Sequence, residues 1–310
     1  AYGMHPNAEI GFRMKQADGM FLNIRELQPR SGGGTVGMSV TERAKACLDE
    51  ITEKMPDVFD FVEIIERVEE RSPFVNVFLQ EIERCMELMA ELSRSLAELD
   101  LGLKGDLQMS ERMEALQQCL AEDRVPATWE ALAYPSNRPL GLWFVNFIER
   151  YKQLSDWTME LGLPKLTWLS GFFNPQSFLT AVMQTSARKN DWPLDKMVVQ
   201  TDVTKKYAED ITTVSKDGAF VSGFTLEGAR WDDKGGTMED SLHKELFAKM
   251  PVVQVKAVTV DKAEQKDTYP CPVYRTQDRG PTFIFIAGLK TKSQPAKWTM
   301  AGVAIVLDVV

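Results

Sequence analysis

The chain has 310 residues, 44% of them hydrophobic and 26% charged, which is enough for two ordinary domains that each bury a core. The net charge of −9 is concentrated early: residues 1–130 carry 14 Lys and Arg against 25 Asp and Glu, while residues 131–310 carry 22 against 20. Neither part has the dense basic patch that nucleic-acid binding requires, so nucleic acid is excluded as a partner.

Membrane, metal and disulfide chemistry are also disfavoured. The longest apolar runs fall short of the roughly 18 residues of a membrane span, and the N-terminus lacks a targeting pattern, so we predict no membrane partner. The start at Ala1 predicts a piece of a longer polypeptide. With His5 and His243 as the whole histidine inventory, a histidine metal site or a Ser-His-Asp triad has almost no candidates. The cysteines are too widely spaced for a zinc or redox motif and are predicted to be buried free thiols. They are Cys47, Cys85, Cys119 and Cys271.

The first third of the sequence is predicted to be helical. A helical segment covers about Gly19 to Leu27, and the glycine-rich run at residues 29–37 breaks it. Ser39 and Glu42 have the spacing of a capping box, in which each side chain satisfies a free amide of the first helical turn. We therefore predict a helix that begins there and ends near Lys54.

Two further helices follow Pro56. Residues 57–71 contain apolar side chains near helical spacing, namely Phe59, Val62, Ile65 and Val68. The segment from Pro73 to about Leu101 is the longest amphipathic run, and Gly102 and Gly105 are predicted to stop it. Its apolar face comprises Phe78, Ile82, Met86, Met89, Leu92, Leu96 and Leu99. A short helix is then predicted to begin at Ser110.

The predicted domain boundary lies at Pro126, where three prolines coincide with the change in charge balance. This divides the sequence into a helical region at 1–125 and a second domain at 126–310, with helices at 126–195. In that second domain Leu140 to Leu161 forms a strongly aromatic helix. Its stripe comprises Trp143, Phe147, Ile148, Tyr151, Leu154, Trp157 and Leu161.

A segment rich in Trp and Phe, residues 168–173, precedes another predicted helix. Asn174 is suited to the N-cap and Pro175 to the first turn. The predicted buried face comprises Phe178, Leu179, Val182 and Met183. The aromatic residues before it are interpreted as a hydrophobic corner that packs on protein.

From Met197 onward the period changes from 3.6 to 2. Six short β-rich runs are separated by turn signals: MVVQTDV, AFVSGFTLEG, VVQVKAVTV, PVYRT, TFIFIAGL and GVAIVLDV. Because no helical pattern separates them, we predict a small antiparallel β-barrel of about six strands at 196–310, whose apolar last strand seals its edge. The predicted fold class is therefore α+β.

Two motifs are candidates for ligand chemistry. The run SGGGTVG at residues 31–37 lacks the Lys-Ser/Thr that a phosphate loop needs, because Met38 and Ser39 follow, and a linker is preferred. The acids of WDDKGGTMED do not have the spacing of a helical calcium loop, so a two-strand turn with solvated acids is preferred. Those acids are Asp232, Asp233, Glu239 and Asp240.

The remaining candidates favour structural roles. The acidic run at residues 63–71 is interpreted as a solvated helix face, although an interaction surface stays open. His5 is predicted to order a turn and His243 to lie on the surface, while Met86 and Met89 are predicted to fill the core. We predict no catalytic, cofactor-binding or metal-binding residue in these 310 residues.

Several long motifs together resemble the C-terminal part of a dynein heavy chain. They are YGMHPNAEIGF, TWEALAYPSNRPLGLWFVNFIERYKQLSDW, WLSGFFNPQSFLTAVMQTSARKNDWPLDKM, GFTLEGARWD, CPVYRTQDRGPTFIF and KWTMAGVAIVLDV. The resemblance covers most of residues 2–310 and is weakest at about 30–125. The segments GFFNPQSFLTAVMQ and ARKNDWPLD resemble the corresponding segments of ciliary and flagellar outer-arm heavy chains of the β type, and they differ from the corresponding segments of cytoplasmic dynein.

The resemblance implies that residues 1–125 supply the small helical subdomain of the sixth AAA+ module and that 126–310 form the dynein C-terminal domain. It implies an ATP-driven microtubule motor of the ciliary or flagellar axoneme, with ATP and Mg in earlier modules and no cofactor here. The implied partners are the other AAA+ modules of the same polypeptide, and the intermediate and light chains and microtubules of the parent complex.

The function predicted for this segment is to brace the AAA+ ring without hydrolysing nucleotide. The aromatic helix at 140–161 and the segment at 168–183 are expected to dock on neighbouring ring modules. The alternative is a binding module whose β-barrel holds a small apolar ligand, although about eight strands are needed for such a cavity.

Overall fold

The computed structural model describes residues 6–27, 38–263 and 267–307. The described α-helices are α1 Pro6–Leu27, α2 Val40–Lys54, α3 Phe61–Arg67, α4 Pro73–Lys104, α5 Glu111–Ala121, α6 Ala127–Glu130, α7 Leu140–Glu160, α8 Pro175–Asn190 and α9 Pro295–Met300. The described strands are β1 Thr167–Trp168, β2 Met197–Val203, β3 Ala219–Ser222, β4 Thr225–Glu227, β5 Arg230–Asp232, β6 Thr237–Glu239, β7 Phe247–Lys249, β8 Val253–Thr259, β9 Thr268–Tyr274, β10 Phe283–Lys290 and β11 Ala304–Val306. Within the described ranges, no helix combines the length and the apolar character of a membrane-crossing segment.

The described residues divide into two compact units. The helical unit comprises residues 38–164 and 171–181, and the β-rich unit comprises residues 6–27, 165–170 and 182–307. Residues on both sides of Pro126 belong to the helical unit. The assignment of residues 1–125 to an AAA+ subdomain and of 126–310 to a separate C-terminal domain stays a prediction.

Capping residues set the helix bounds in the helical unit. The predicted capping box of α2 is confirmed: Glu42 N–H donates to Ser39 Oγ at 3.1 Å and Ser39 N–H to Glu42 Oε2 at 2.7 Å. Gly105 ends α4 in the left-handed conformation, at φ 84°. The stop predicted at Gly102 is wrong, because α4 continues through it. The side chains of Met109 and Met113 fill the space that a Cβ at Gly102 would occupy.

The helix predicted within residues 57–71 is shorter than its apolar spacing indicates. Asp60 caps α3 and accepts a hydrogen bond from Glu63 N–H, so the helix begins only at Phe61. Ile64 is its buried residue, whereas Val62 is 68% exposed. The four glutamates of the acidic run are all exposed, as expected of a solvated face. They are Glu63, Glu66, Glu69 and Glu70.

The β-rich unit contains open sheets, so the predicted antiparallel barrel is wrong. One sheet has the strand order β1-β3-β8-β2, another has the order β10-β9-β11-β4-β7, and β5 pairs with β6. None of these described sheets is closed, and the pairs β1·β3 and β9·β11 are parallel. The apolar last strand, β11, lies between β9 and β4 instead of sealing an edge. Without a closed barrel, the alternative of an apolar-ligand-binding barrel loses its basis.

The run AFVSGFTLEG at residues 219–228 forms two strands in different sheets. Gly223 separates β3 from β4 with φ +92°, a conformation that disfavours side chains. A Cβ there would lie 2.5 Å from Ser170 Oγ and 2.6 Å from Trp168 Cδ1. The close packing of the 165–170 segment on this turn therefore requires glycine.

Gly223→Ala is expected to destabilise the protein by about 2 kcal/mol, from backbone strain and this steric overlap. Urea denaturation compares the midpoints of the variant and the wild type. Gly288→Ala is the matched control, since no atom lies within 4 Å of a Cβ built at Gly288. Equal losses in the two variants would contradict the packing argument.

Candidate functional site

Phe172 and Phe173, at the end of the aromatic segment that precedes α8, form a corner in the helical unit. At the turn before α8, the backbone N–H groups of Phe173 and Asn174 point into the interior, where an unpaired N–H is costly. The carboxylate of Glu81, on α4, accepts both of them, and the Asn174 bond measures 2.9 Å. Glu81 is 1% exposed, so a buried acid holds this turn in place.

A buried cation on α7 binds the same turn. Arg150 is 2% exposed, and its Nη1 donates to the carbonyl oxygen of Phe172 at 3.2 Å. Its Nε donates to Asn146 Oδ1 at 2.9 Å, and its guanidinium lies 3.4 Å from the ring centroid of Tyr134. Glu81, Arg150 and the turn at residues 172–174 are hereafter called the charged corner.

Burial dominates the electrostatics of the charged corner. Removal from water raises the pKa of Glu81 above its ordinary value, because the charged form is the one that loses most hydration. The two backbone hydrogen bonds, and the positive charges of Arg84 and Arg150, lower the pKa but do not cancel the effect of burial. In the folded protein, Glu81 thus holds its proton more tightly than an exposed glutamate does.

Aromatic rings surround the charged corner. Phe172 lies 5.3 Å from the ring of Phe78 and 5.2 Å from that of Phe178, both measured between centroids. Phe78 stacks on Trp157 at 4.7 Å. Phe172 therefore packs within the helical unit, so this end of the aromatic segment is internal.

Four of the seven residues of the aromatic stripe of α7 are buried, and the other three, Ile148, Tyr151 and Leu161, are half-buried. Trp143 is 1% exposed and stacks with Trp129, Tyr134 and Phe147 at centroid distances of 6.1, 6.0 and 6.1 Å. The hydroxyl of Tyr134 donates to the carbonyl oxygen of Trp143 at 3.2 Å. These rings form the core of the unit, so they do not present the docking surface that the aromatic pattern led us to expect.

The helix after the corner begins as predicted, at Pro175. Asn174 lies directly before it, and its side-chain amide donates to Ser177 Oγ at 2.7 Å. Three of the four residues predicted on its buried face are 0% exposed, and Met183 is half-buried. Those three are Phe178, Leu179 and Val182.

Two acids of the predicted turn at 232–240 accept hydrogen bonds at the β5–β6 hairpin. Asp232 accepts hydrogen bonds from the N–H groups of Lys234 and Gly235 at 2.9 and 2.8 Å, and the Gly235 bond is the main reason why its pKa is lowered. Asp233 accepts from the hydroxyl of Tyr207 at 2.8 Å. The predicted two-strand turn is confirmed. No cluster of metal-ligating side chains occurs within residues 6–27, 38–263 and 267–307.

The other candidates are placed as follows. His243 is exposed and Met89 is buried, as predicted, while Met86 is half-buried. His5 and the glycine run at 31–37 lie outside the described residues. All four cysteines are free thiols: Cys85 and Cys271 are buried as predicted, and Cys47 and Cys119 are partly exposed. Burial raises the pKa of Cys47 to about 11 and that of Cys85 to about 12, which favours inert thiols.

The sequence analysis missed Glu81 and Arg150, although each leaves a recognisable signal. Glu81 lies on the apolar face of α4, between Phe78 and Cys85 in helical spacing, and Arg150 lies between Phe147 and Leu154 on the stripe of α7. A charge inside an apolar stripe predicts a buried charge with dedicated partners. The side chains of the charged corner therefore bind backbone groups of the protein itself.

The fold and the charged corner together define an α+β module whose buried charges bind its own backbone. The family model for the C-terminal domain of dynein heavy chains matches residues 14–307, and the protein belongs to this family.

Named relatives extend this assignment over the full 310 residues. The sequence is 56% identical, over 100% of its length, to the dynein beta chain of the flagellar outer arm of Chlamydomonas reinhardtii. It is 51% identical over 99% of its length to the ciliary dynein beta chain of Tripneustes gratilla. The dynein alpha chain of the Chlamydomonas reinhardtii flagellar outer arm is 41% identical over 99% of the sequence. The 310 residues span 7% of the length of each of these relatives.

Proposed function

We propose that this protein is the C-terminal segment of an axonemal outer-arm dynein heavy chain of the β type. The observation that carries the proposal is the difference between two relatives from one organism, 56% identity to the outer-arm beta chain against 41% to the alpha chain. The parent would be an ATP-driven, minus-end-directed microtubule motor that powers ciliary and flagellar beating. It would lie in the cytoplasm, in the cytoskeleton of the axoneme.

The proposed role of this segment is to brace the AAA+ ring of that motor. Support comes from the charged corner, since Glu81 and Arg150 tie α4, α7 and the turn before α8 into one block with few ways to rearrange. A stiff block can transmit or resist a rearrangement of the ring after hydrolysis. The partners would be the other AAA+ modules of the heavy chain, with intermediate chains, light chains and microtubules in the complete motor.

We propose further that nucleotide binds and is hydrolysed in other modules and that this segment has no cofactor. The support is the glycine run at 31–37, which lacks the Lys-Ser/Thr of a phosphate loop. Titration of the 310-residue protein with a fluorescent ATP analogue in the presence of Mg²⁺ is expected to show no saturable binding. Saturable binding displaced by unlabelled ATP would overturn the proposal.

The bracing role is tested in the complete heavy chain. A truncation after residue 125 removes α7 with Arg150 and the turn at residues 172–174, and with them the charged corner on which the proposed brace rests. We expect a lower microtubule-stimulated ATPase rate and a lower gliding velocity, because the ring would lose its support. The control is the full-length motor with Leu142→Ala, a substitution of a 51% exposed side chain. Unchanged rate and velocity in the truncated motor would refute the brace.

A further inference from the structure

Arg279, in the loop between β9 and β10, has a backbone conformation that glycine normally adopts. Its φ is 55° and its ψ is −134°, a combination outside the left-handed region that other residues occasionally occupy. A residue with a side chain is strained in this conformation and keeps it only where surrounding contacts hold it there. The contacts of Arg279 therefore indicate what the strain maintains.

Both backbone groups of Arg279 are hydrogen-bonded within the loop. Its N–H donates to the carbonyl oxygen of Thr276 at 3.2 Å. Its carbonyl oxygen accepts bonds from the N–H of Thr282 at 3.2 Å and from the Thr282 hydroxyl at 3.0 Å. Glycine could make the same bonds without strain, because it has no Cβ. The loop backbone thus gives no reason for an arginine at this position, and the reason lies in the side chain.

The guanidinium of Arg279 joins two parts of the chain that are far apart in sequence. Its Nη2 donates to Glu227 Oε2 at 2.8 Å and to the carbonyl oxygen of Gly302 at 2.9 Å. Glu227 is the last residue of β4, and Gly302 lies between α9 and β11. Hydrogen bonds from a charged donor are stronger than those between neutral groups. The side chain therefore ties residues 295–307, hereafter called the α9–β11 segment, to the edge of the strand beside which β11 lies.

The α9–β11 segment is held by a short strand ladder. β11 pairs with β4 over three residues and with β9 over two, whereas β2 pairs with β8 over seven. The side chains of Trp298, Ile305 and Val306 are at most 1% exposed, so the segment covers part of the interior of the five-stranded sheet. A segment with few ladder bonds can open locally while the rest of its unit stays folded. The contacts that oppose such opening are then few, and the two bonds of Arg279 are among them.

We propose that Arg279 is a strained latch that keeps the α9–β11 segment in the five-stranded sheet, and that the segment opens as a local unit when the bonds of the Arg279 side chain to Glu227 and Gly302 are lost. The backbone conformation directs the guanidinium to its two acceptors, and the two bonds keep the backbone in that conformation. Since breaking the bonds also relieves the strain, the loop has two arrangements, one latched and one released.

The thiol of Cys271 reports the opening. Cys271 lies on β9, is 0% exposed, and accepts a hydrogen bond from the backbone N–H of Ile305 in β11. Departure of β11 therefore uncovers the thiol. Burial also raises the pKa of Cys271, which suppresses its reaction while the segment is in place.

Labelling of the native 310-residue protein with N-ethylmaleimide, followed by mass spectrometry of the peptide that contains Cys271, tests the latch. Arg279→Ala loses both side-chain bonds and keeps a side chain in the strained conformation, so Cys271 is expected to react roughly tenfold faster than in the wild type. Arg279→Gly loses the same bonds without the strain, and its Cys271 should react more slowly than that of Arg279→Ala. Glu227→Gln leaves the loop sequence intact and weakens one bond, so a smaller acceleration is expected.

The control removes a comparable ion pair that does not contact the α9–β11 segment. Lys256 pairs with Asp202 at 3.1 Å between β8 and β2, and the two side chains are about as exposed as Arg279 and Glu227. Lys256→Ala is expected to leave Cys271 at its wild-type labelling rate. Hydrogen exchange of β2 in each variant distinguishes local opening from unfolding of the whole β-rich unit, because β2 belongs to the other sheet.

Faster labelling of Cys271 with unchanged exchange of β2 would support the latch. Wild-type labelling in Arg279→Ala would overturn it, and so would an equal acceleration of β2 exchange, which would mean that the whole unit is loosened. Labelling in Arg279→Gly as fast as in Arg279→Ala would show an unstrained backbone and would also contradict the proposal. If Arg279→Ala does not fold, Glu227→Gln decides by the same two measurements.

Discussion

Trp143→Ala is expected to lower the free energy of unfolding by about 4 kcal/mol, the largest effect we anticipate for a single substitution. The indole is 1% exposed and stacks with Trp129, Tyr134 and Phe147, so its removal leaves a cavity that three rigid rings cannot fill. Urea denaturation of the 310-residue protein, followed by circular dichroism, measures the loss.

The neighbouring residue on α7 is the matched control for this prediction. Leu142 is 51% exposed, and Leu142→Ala is expected to change stability by less than about 0.5 kcal/mol. The comparison separates the two interpretations of the aromatic stripe. If the rings served to dock another module, Trp143→Ala would leave the isolated protein as stable as Leu142→Ala does.

The second large effect is expected at the charged corner. Glu81→Ala removes the acceptor of the Phe173 and Asn174 N–H groups and leaves the Arg150 guanidinium in an interior without that negative charge. Removing one charged partner from a buried cluster is expected to lower the free energy of unfolding by about 3 kcal/mol. Glu87→Ala, on an exposed position of the same helix, is the control and is expected to be nearly neutral.

A double-mutant cycle tests whether Glu81 and Arg150 act as one unit. Because both side chains bind the turn at 172–174, removal of the second should cost less once the first is gone. The expected coupling is about 1 kcal/mol or more. Additive losses would mean that each residue supports the fold independently, and the charged corner would then not be a cooperative unit.

The raised pKa of Glu81 also predicts a dependence of stability on pH. The folded protein holds the Glu81 proton more tightly than the unfolded state, where the ordinary value is 4.5. The stabilisation linked to that proton is full below the unfolded pKa and is lost as the pH rises through the folded pKa. Glu81→Gln has no such proton, so the stability of the wild type relative to this variant should fall as the pH rises above about 4.5. A constant difference would contradict the raised pKa.

Local signals in the sequence predicted much of the helical architecture. The capping box of Ser39 and Glu42, the glycine at 105 and the start of α8 at Pro175 are all found where their local chemistry requires them. The six predicted runs contain β2, β3, β4, β8 and β11 and parts of β9 and β10, whereas β1, β5, β6 and β7 lie outside them. A cap or a turn is decided by neighbours within a few residues, so the sequence around it is sufficient.

Long-range pairing was not predictable in this way. The order β10-β9-β11-β4-β7 places the last strand between two strands that come earlier in the sequence. Alternating apolar residues show that a strand is half-buried, but they do not show which strand lies beside it. For this reason the sequence predicts a closed barrel where the described sheets are open. It also predicts AFVSGFTLEG as one run, although Gly223 separates β3 from β4 there.

The sequence by itself determined the family, the helix caps, the turn at 232–236 and the lack of a phosphate-loop motif in the glycine run. The tertiary structure decided which apolar residues are covered. It placed Trp143, Phe147 and Trp157 of α7 in the core, and it left Met14, Phe21 and Ile24 of α1 exposed. Both sets of residues have helical spacing, and spacing alone does not show whether an apolar residue is covered. Burial depends on elements far away in the sequence, so only the folded protein distinguishes a core from a docking surface.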